Sequence, residues 1–146
     1  MATVNKTIDG GFSQLIQTRQ PATVVEDTFT PTLLCSATNP TFASTSATGR
    51  YQKIGNRVFY DITFTGTGII SRGSGTVRIG NLPFTSAATK TIGVVADSTI
   101  DVFAVVNQVA ATYVTLFHLH NTAATQTNLP NSGDVIFTAS FWVWIS

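Results

Sequence analysis

The chain has 146 residues, a net charge of +1, and only 10% charged against 43% hydrophobic residues. That length fits one domain with an arm, and folding at this size buries roughly two-thirds of the unfolded surface, so no covalent staples are needed. Charge this sparse and balanced excludes a polyanion-tracking surface: Arg50, Lys53, Arg57, Arg72 and Arg78 form the densest basic stretch, but they alternate with apolar residues on expected strands, and no nucleic-acid partner is expected.

Residues 1–27 read as an amino-terminal arm. They are mostly polar, with one amphipathic patch at Phe12, Leu15 and Ile16, whose spacing fits either one helical turn or three anchors on an extended segment. Asp9-Gly10-Gly11 before them and Pro21 after them keep any helix short. Such a segment is either disordered or ordered by docking on something else, and Phe12, Leu15 and Ile16 are its candidate anchor. Residues 1–11 hold no hydrophobic run, so no secretory signal is expected. No apolar stretch reaches the roughly 18 residues needed to span a bilayer, so no membrane partner is expected either.

Residues 28–146 read as strand, turn, strand. Thr dominates and Glu occurs once, at Glu26, a composition that favours strands over helices. Strands are expected at 29–37, 49–54, 57–66, 75–80, 91–96, 100–107, 112–120 and 134–145. Asn39-Pro40 begins a loop that extends towards Thr48, and 121–133 forms another. Cys35 is the only cysteine, which rules out an intrachain disulfide and a Cys-pair zinc site; its apolar surroundings suit a buried thiol. The hairpin 49–65 carries the clearest pattern. Gly55-Asn56 supplies a tight turn, and Val58, Tyr60, Ile62 and Phe64 alternate with Arg57, Asp61, Thr63 and Thr65, one face packed and the other wet. In 135–145 the odd positions are all apolar, while the even ones are polar in the middle and end in Trp142 and Trp144. Eight strands at this spacing predict an all-β, two-sheet antiparallel jelly-roll sandwich carrying an extended amino-terminal arm.

Candidate sites are few. His118 and His120 share a strand face at a workable ligand spacing and lack a third ligand in sequence; they would bind an ion only if several chains brought them to a common axis. Ser74 lacks the strand–turn–helix setting of a nucleophile. Gly66-Thr67-Gly68 and Gly73-Ser74-Gly75 read as turns and match no phosphate-binding pattern. The seven acids are too scattered for paired-carboxylate chemistry. No cofactor, metal or catalytic residue is expected. Trp142 and Trp144 face one way and suit either a stacking platform for sugar rings or packing between subunits. With Tyr113 and Val114 they are the candidate subunit interface, because strand surface is more apolar here than one interior needs.

The series Gly49-x-Tyr51-x-Lys53-Ile54-Gly55-Asn56-x-Val58, then Gly75-Thr76-Val77-x-Ile79, then Asn81-Leu82-Pro83-Phe84-Thr85 resembles a module of tailed-bacteriophage fibre and particle-surface proteins. Its pattern there is G-x-Y-x-K-I-G-x-x-V, a strand, and G-L-P-F. The resemblance covers residues 49 to about 86, and Asn81 stands where Gly is usual. It implies a compact jelly roll, similar in architecture to tumour-necrosis-factor-like heads and commonly trimeric, that mediates assembly or host-surface contact. The expectation is a non-enzymatic homotrimeric structural protein on the virion surface, a capsid decoration (cement) protein or short fibre. Its partners would be other virion proteins, such as the major capsid protein or tail proteins, reached through the arm. The alternatives are a glycan-binding tip module for a host surface and, third, a surface-polysaccharide depolymerase.

Overall fold

A computed structural model describes residues 22–87, 93–96, 99–100, 104–107, 111–117, 123–125 and 129–145. Every named element among them is a strand: β1 (Val24–Phe29), β2 (Thr32–Cys35), β3 (Thr41–Ile54), β4 (Arg57–Ser71), β5 (Val77–Gly80), β6 (Gly93–Ala96), β7 (Ala104–Asn107), β8 (Val114–Phe117) and β9 (Val135–Trp144). The order across the ladder is β1-β3-β4-β9-β6-β7-β8-β5-β2, and all pairs are antiparallel. The pairs β4·β9, β5·β8 and β6·β7 are nested, as in an antiparallel ribbon rolled up from its middle. The result is the jelly-roll sandwich expected from the sequence. Its two halves, β1-β3-β4-β9-β6 and β7-β8-β5-β2, stay joined through the short β6·β7 pairing.

The core follows from alternation. Along β4, Val58, Tyr60, Ile62 and Phe64 are buried while their neighbours are exposed or half-buried; along β9, Val135, Phe137, Ala139, Phe141 and Val143 are buried. The two strands pair over ten positions, Val58↔Val143, Tyr60↔Phe141, Ile62↔Ala139 and Phe64↔Phe137 among them, so their inward residues line up as rows. Leu33, Val77, Ile79, Val114 and Leu116 join the same cluster from the other half. Tyr60 is the hub of an aromatic chain, with ring centroids 5.6 Å from Phe29, 6.4 Å from Tyr51 and 5.2 Å from Phe141. Edge-on and offset contacts of this kind add to the burial itself.

The signature residues meet in this core. Tyr51 packs edge-on against Phe84 at 5.1 Å, and the Lys53 ammonium lies 5.6 Å above the same ring. Asn81 is the sole non-glycine residue with positive φ (62°) among the described residues, and its side-chain amide donates to the Thr30 carbonyl at 2.7 Å. That conformation explains why Gly or Asn suits the position. Gly55, at φ 60°, closes the two-residue β3–β4 hairpin.

Three stretches differ from the sequence-based expectation. Val24–Asp27, assigned to the arm, form most of β1 and pair with β3 from Val24↔Ile54 to Phe29↔Gly49. The segment expected as a loop up to Thr48 is the first half of β3, paired with β4. Gly66-Thr67-Gly68 lies inside β4. Gly66 is a strand residue because the Phe42 ring occupies the space of its missing side chain, and Gly68, at φ 60°, bends the strand so that its N–H donates to the Asp134 carboxylate at 2.9 Å. Of the strand expected over 112–120, Val114–Phe117 form β8, and 118–120 lie outside the described residues.

Two outcomes are expected. Phe137→Ala should destabilise the fold by about 3–5 kcal/mol in a denaturant titration, the usual cost of emptying an aromatic core site. Burial raises the Tyr60 phenol above its ordinary 10.0; the Phe84 backbone lies beside the hydroxyl, which has no hydrogen bond of normal geometry. The folded state therefore keeps the proton longer than the unfolded chain does, so stability should hold up to about pH 10 and fall above it. Tyr60→Phe should flatten that fall and leave stability at pH 7 unchanged or higher.

Candidate functional site

The alternation that fills the core also builds the opposite face of the β1-β3-β4-β9-β6 half. Register sets its rows. Val24, Ile54, Arg57 and Trp144 lie side by side across four strands, followed by Glu26, Gln52, Phe59 and Trp142, and then by Thr28, Arg50, Asp61, Ser140 and Val94. Apolar side chains that should be inside stand open on this face: Phe59 is 51% exposed, Val24 48% and Ile54 43%. Trp142 and Trp144 are half-buried and touch edge-on at 5.7 Å.

Arg57 is the polar centre of this patch. Its guanidinium lies 4.2 Å from the Trp144 ring centroid and 5.8 Å from that of Trp142. A guanidinium this close to an indole face is attracted to it and keeps N–H donors for further partners. Beside it, Gln52, Ile54, Arg57, Phe59 and Trp142 line a depression of about 280 Å³. A second, more polar hollow of about 380 Å³ adjoins it and shares the walls Gln52 and Phe59, with Glu26, Asp27, Thr28, Arg50, Tyr51 and Asp61 completing its lining. The polar side chains are held in place: the Gln52 amide donates to Glu26 at 2.5 Å, and the Ser140 hydroxyl donates to Asp61 at 2.6 Å. The trough thus offers aromatic faces, two forked cations, Arg57 and Arg50, and oriented carboxylate and amide oxygens.

The sequence-derived candidates are dispersed by the fold. Trp142 and Trp144 come together as a pair. Tyr113 belongs to the other half, where Arg78 stacks on its ring at 4.3 Å. Val114 is fully buried in the protein's own core and cannot serve a subunit contact; it faces inward opposite Ile79 of β5. The four do not form one surface. Phe12, Leu15 and Ile16, and likewise His118 and His120, lie outside the described residues. Among the described residues no three His, Cys, Asp or Glu side chains gather as a metal site. Phe59, Ile54, Gln52 and Glu26 went unrecognised in the sequence. Phe59 carried a usable signal, an aromatic residue on the wet parity of an otherwise alternating strand; the others join it only through register.

No protein-family model and no curated protein matches this sequence. Among solved structures, the fold is similar to part of the Dettilon tailspike protein in its crystal form, with a TM-score of 0.61 and 24% identity over 84% of this chain. The aligned part is 24% of the tailspike chain, so this protein spans about a quarter of that length. The likeness shows a shared fold.

Cys35 lies apart from the trough. Its thiol is buried, 3.7 Å from the Arg72 carbonyl, and burial pushes it above the ordinary value, partly opposed by Arg78. A thiolate-specific reagent at pH 8 should modify the native protein at least about tenfold more slowly than the urea-unfolded chain, because thiolate character and access are both lost on folding. Equal rates would show the site to be open.

Proposed function

We propose that this chain is a non-enzymatic structural module of a tailed-phage particle, a jelly roll that assembles as a homotrimer and is fastened by its amino-terminal arm. The observation that carries the reading is the fold likeness to a segment of a tailspike over most of this chain. The Gly49–Thr85 signature points the same way, and the structure gives its residues packing roles: Tyr51 and Phe84 meet ring to ring, and Asn81 supplies a left-handed turn. Sparse charge and an exposed apolar sheet face suit a component that works next to other proteins. The described residues before β1 lead directly into Val24, the first member of the Val24–Ile54–Arg57–Trp144 row. Capsid decoration and short fibre are both served by such a module, and the tailspike likeness favours a place on the tail.

Location and assembly are separately testable. Antibody labelling of purified particles in the electron microscope should place the chain on the outside, at the tail; absence from the particle overturns the reading. Light scattering after gel filtration should give about three times 15.5 kDa, and a monomer at micromolar concentration removes the homotrimer. A chain beginning at Ala22 is expected to keep its oligomer and lose attachment to particles. A chain beginning at Thr28 should in addition be less stable, because it strips Val24–Asp27 from the edge of β3.

A further inference from the structure

We infer that the trough on the outer face of the β1-β3-β4-β9-β6 half is a binding site for a carboxylate-bearing sugar, with Arg57 as the residue that selects the acid. The inference goes beyond the structural role proposed above and does not depend on where the module sits on a particle.

The chemistry of the lining identifies the ligand class. Phe59, exposed in the middle of the face, and Trp142 beside it present flat apolar surfaces, which match the C–H faces of a pyranose ring better than any charged or linear group. Arg57 lies at the rim, its guanidinium carbon 4.2 Å from the Trp144 ring centroid, and carries the forked N–H donors that suit a planar carboxylate. None of the described residues forms an ion pair with it; the acids of the same face are engaged elsewhere, Glu26 with Gln52 and Asp61 with Ser140. Those two carboxylates accept hydrogen bonds from hydroxyls, and with Asp27 in the same hollow they balance Arg57 and Arg50, so the lining lacks the excess positive charge that a polyanion needs. The trough therefore disfavours nucleic acid or polyphosphate and fits a ligand with one acidic group among many hydroxyls. Because the polar hollow continues past Phe59 and Gln52, a second ring linked to the first would lie over Glu26, Arg50 and Asp61.

The protein carries its own reporter. It has two tryptophans, Trp142 and Trp144, and both are at the site. Titration of the full chain with methyl glucuronide should give a saturable change in tryptophan emission, and methyl glucoside a change at least about tenfold weaker. Arg57→Gln should lose that preference, binding both probes alike, while Arg57→Lys keeps the charge, lacks the fork and should fall between. Phe59→Ala should weaken both probes together. Thermal melts by circular dichroism identify any variant that has lost its fold, and saturation-transfer NMR on the wild-type protein gives a readout independent of tryptophan. The proposal is overturned if the glucuronide gives neither an emission change nor saturation transfer. It is equally overturned if folded Arg57→Gln retains the acid preference. An emission change that follows protein concentration and ignores both sugars assigns the face to contact with a second copy, and also overturns it.

Discussion

The register between β4 and β9 is the constraint on which the rest of the molecule depends. Ten consecutive pairs, from Arg57↔Trp144 to Gly66↔Val135, put every inward residue of one strand opposite an inward residue of the other. Because side chains alternate with a period of two, a slip of β9 by one residue would turn Phe137 and Phe141 to solvent and bring Trp142 and Trp144 towards the core. The stacked contact of Phe64 with Phe137 at 5.3 Å and the Tyr60–Phe141 contact make that slip prohibitive. The outer face is set by the same choice. Arg57 meets Trp144, and Phe59 meets Trp142, only because the buried rows opposite them are in register. Core and trough are two faces of one strand pairing.

What the sequence made legible follows from that periodicity. The strands 57–66 and 134–145, the Gly55-Asn56 turn and the inward identity of Val58, Tyr60, Ile62 and Phe64 could be read because alternation and a positive-φ turn are local signals. The first strand could not. Val24–Phe29 is exposed almost throughout, so Val-Val-Glu-Asp-Thr-Phe shows no polar–apolar rhythm; its strand character comes from β3 alongside it. The Thr41–Thr48 half of β3 failed for the same reason, being a run of small and polar residues between Pro40 and Gly49. Gly66 and Gly68 misled because glycine usually punctuates, whereas Phe42 covers the first and Asp134 captures the second. Both compensations come from residues distant in the chain.

The candidate site was half visible. A Trp-x-Trp pair on one strand is a local pattern, and its two rings do meet. Attaching Tyr113 and Val114 to the same surface required knowing which half of the sandwich each strand joins, and that is decided by the crossovers from β4 to β9 and from β5 to β8. Apolar content alone cannot say whether a residue such as Val114 is surplus or core. The structure assigns it to the core, and gives the exposed apolar character to Phe59, Ile54 and Val24 instead. The acids and amide that flank them come from the same three strands, β1, β3 and β4, and share no sequence motif.

The placement of β1 has a mechanical consequence. The strand is an outermost one, bound along one side to β3, and Phe29 is its main inward contribution. Tension entering through the preceding residues reaches the Val24·Ile54 pair before any other. The pairs then lie in series, from Ile54 down to Gly49, so they would open in succession like a zipper, and the Phe29 ring seated over Gly49 is the last tooth. The ten-pair β4·β9 seam is not in that line of force. A pull applied just before Val24 would therefore act first on a six-residue strap, ahead of the rolled body and the face it carries.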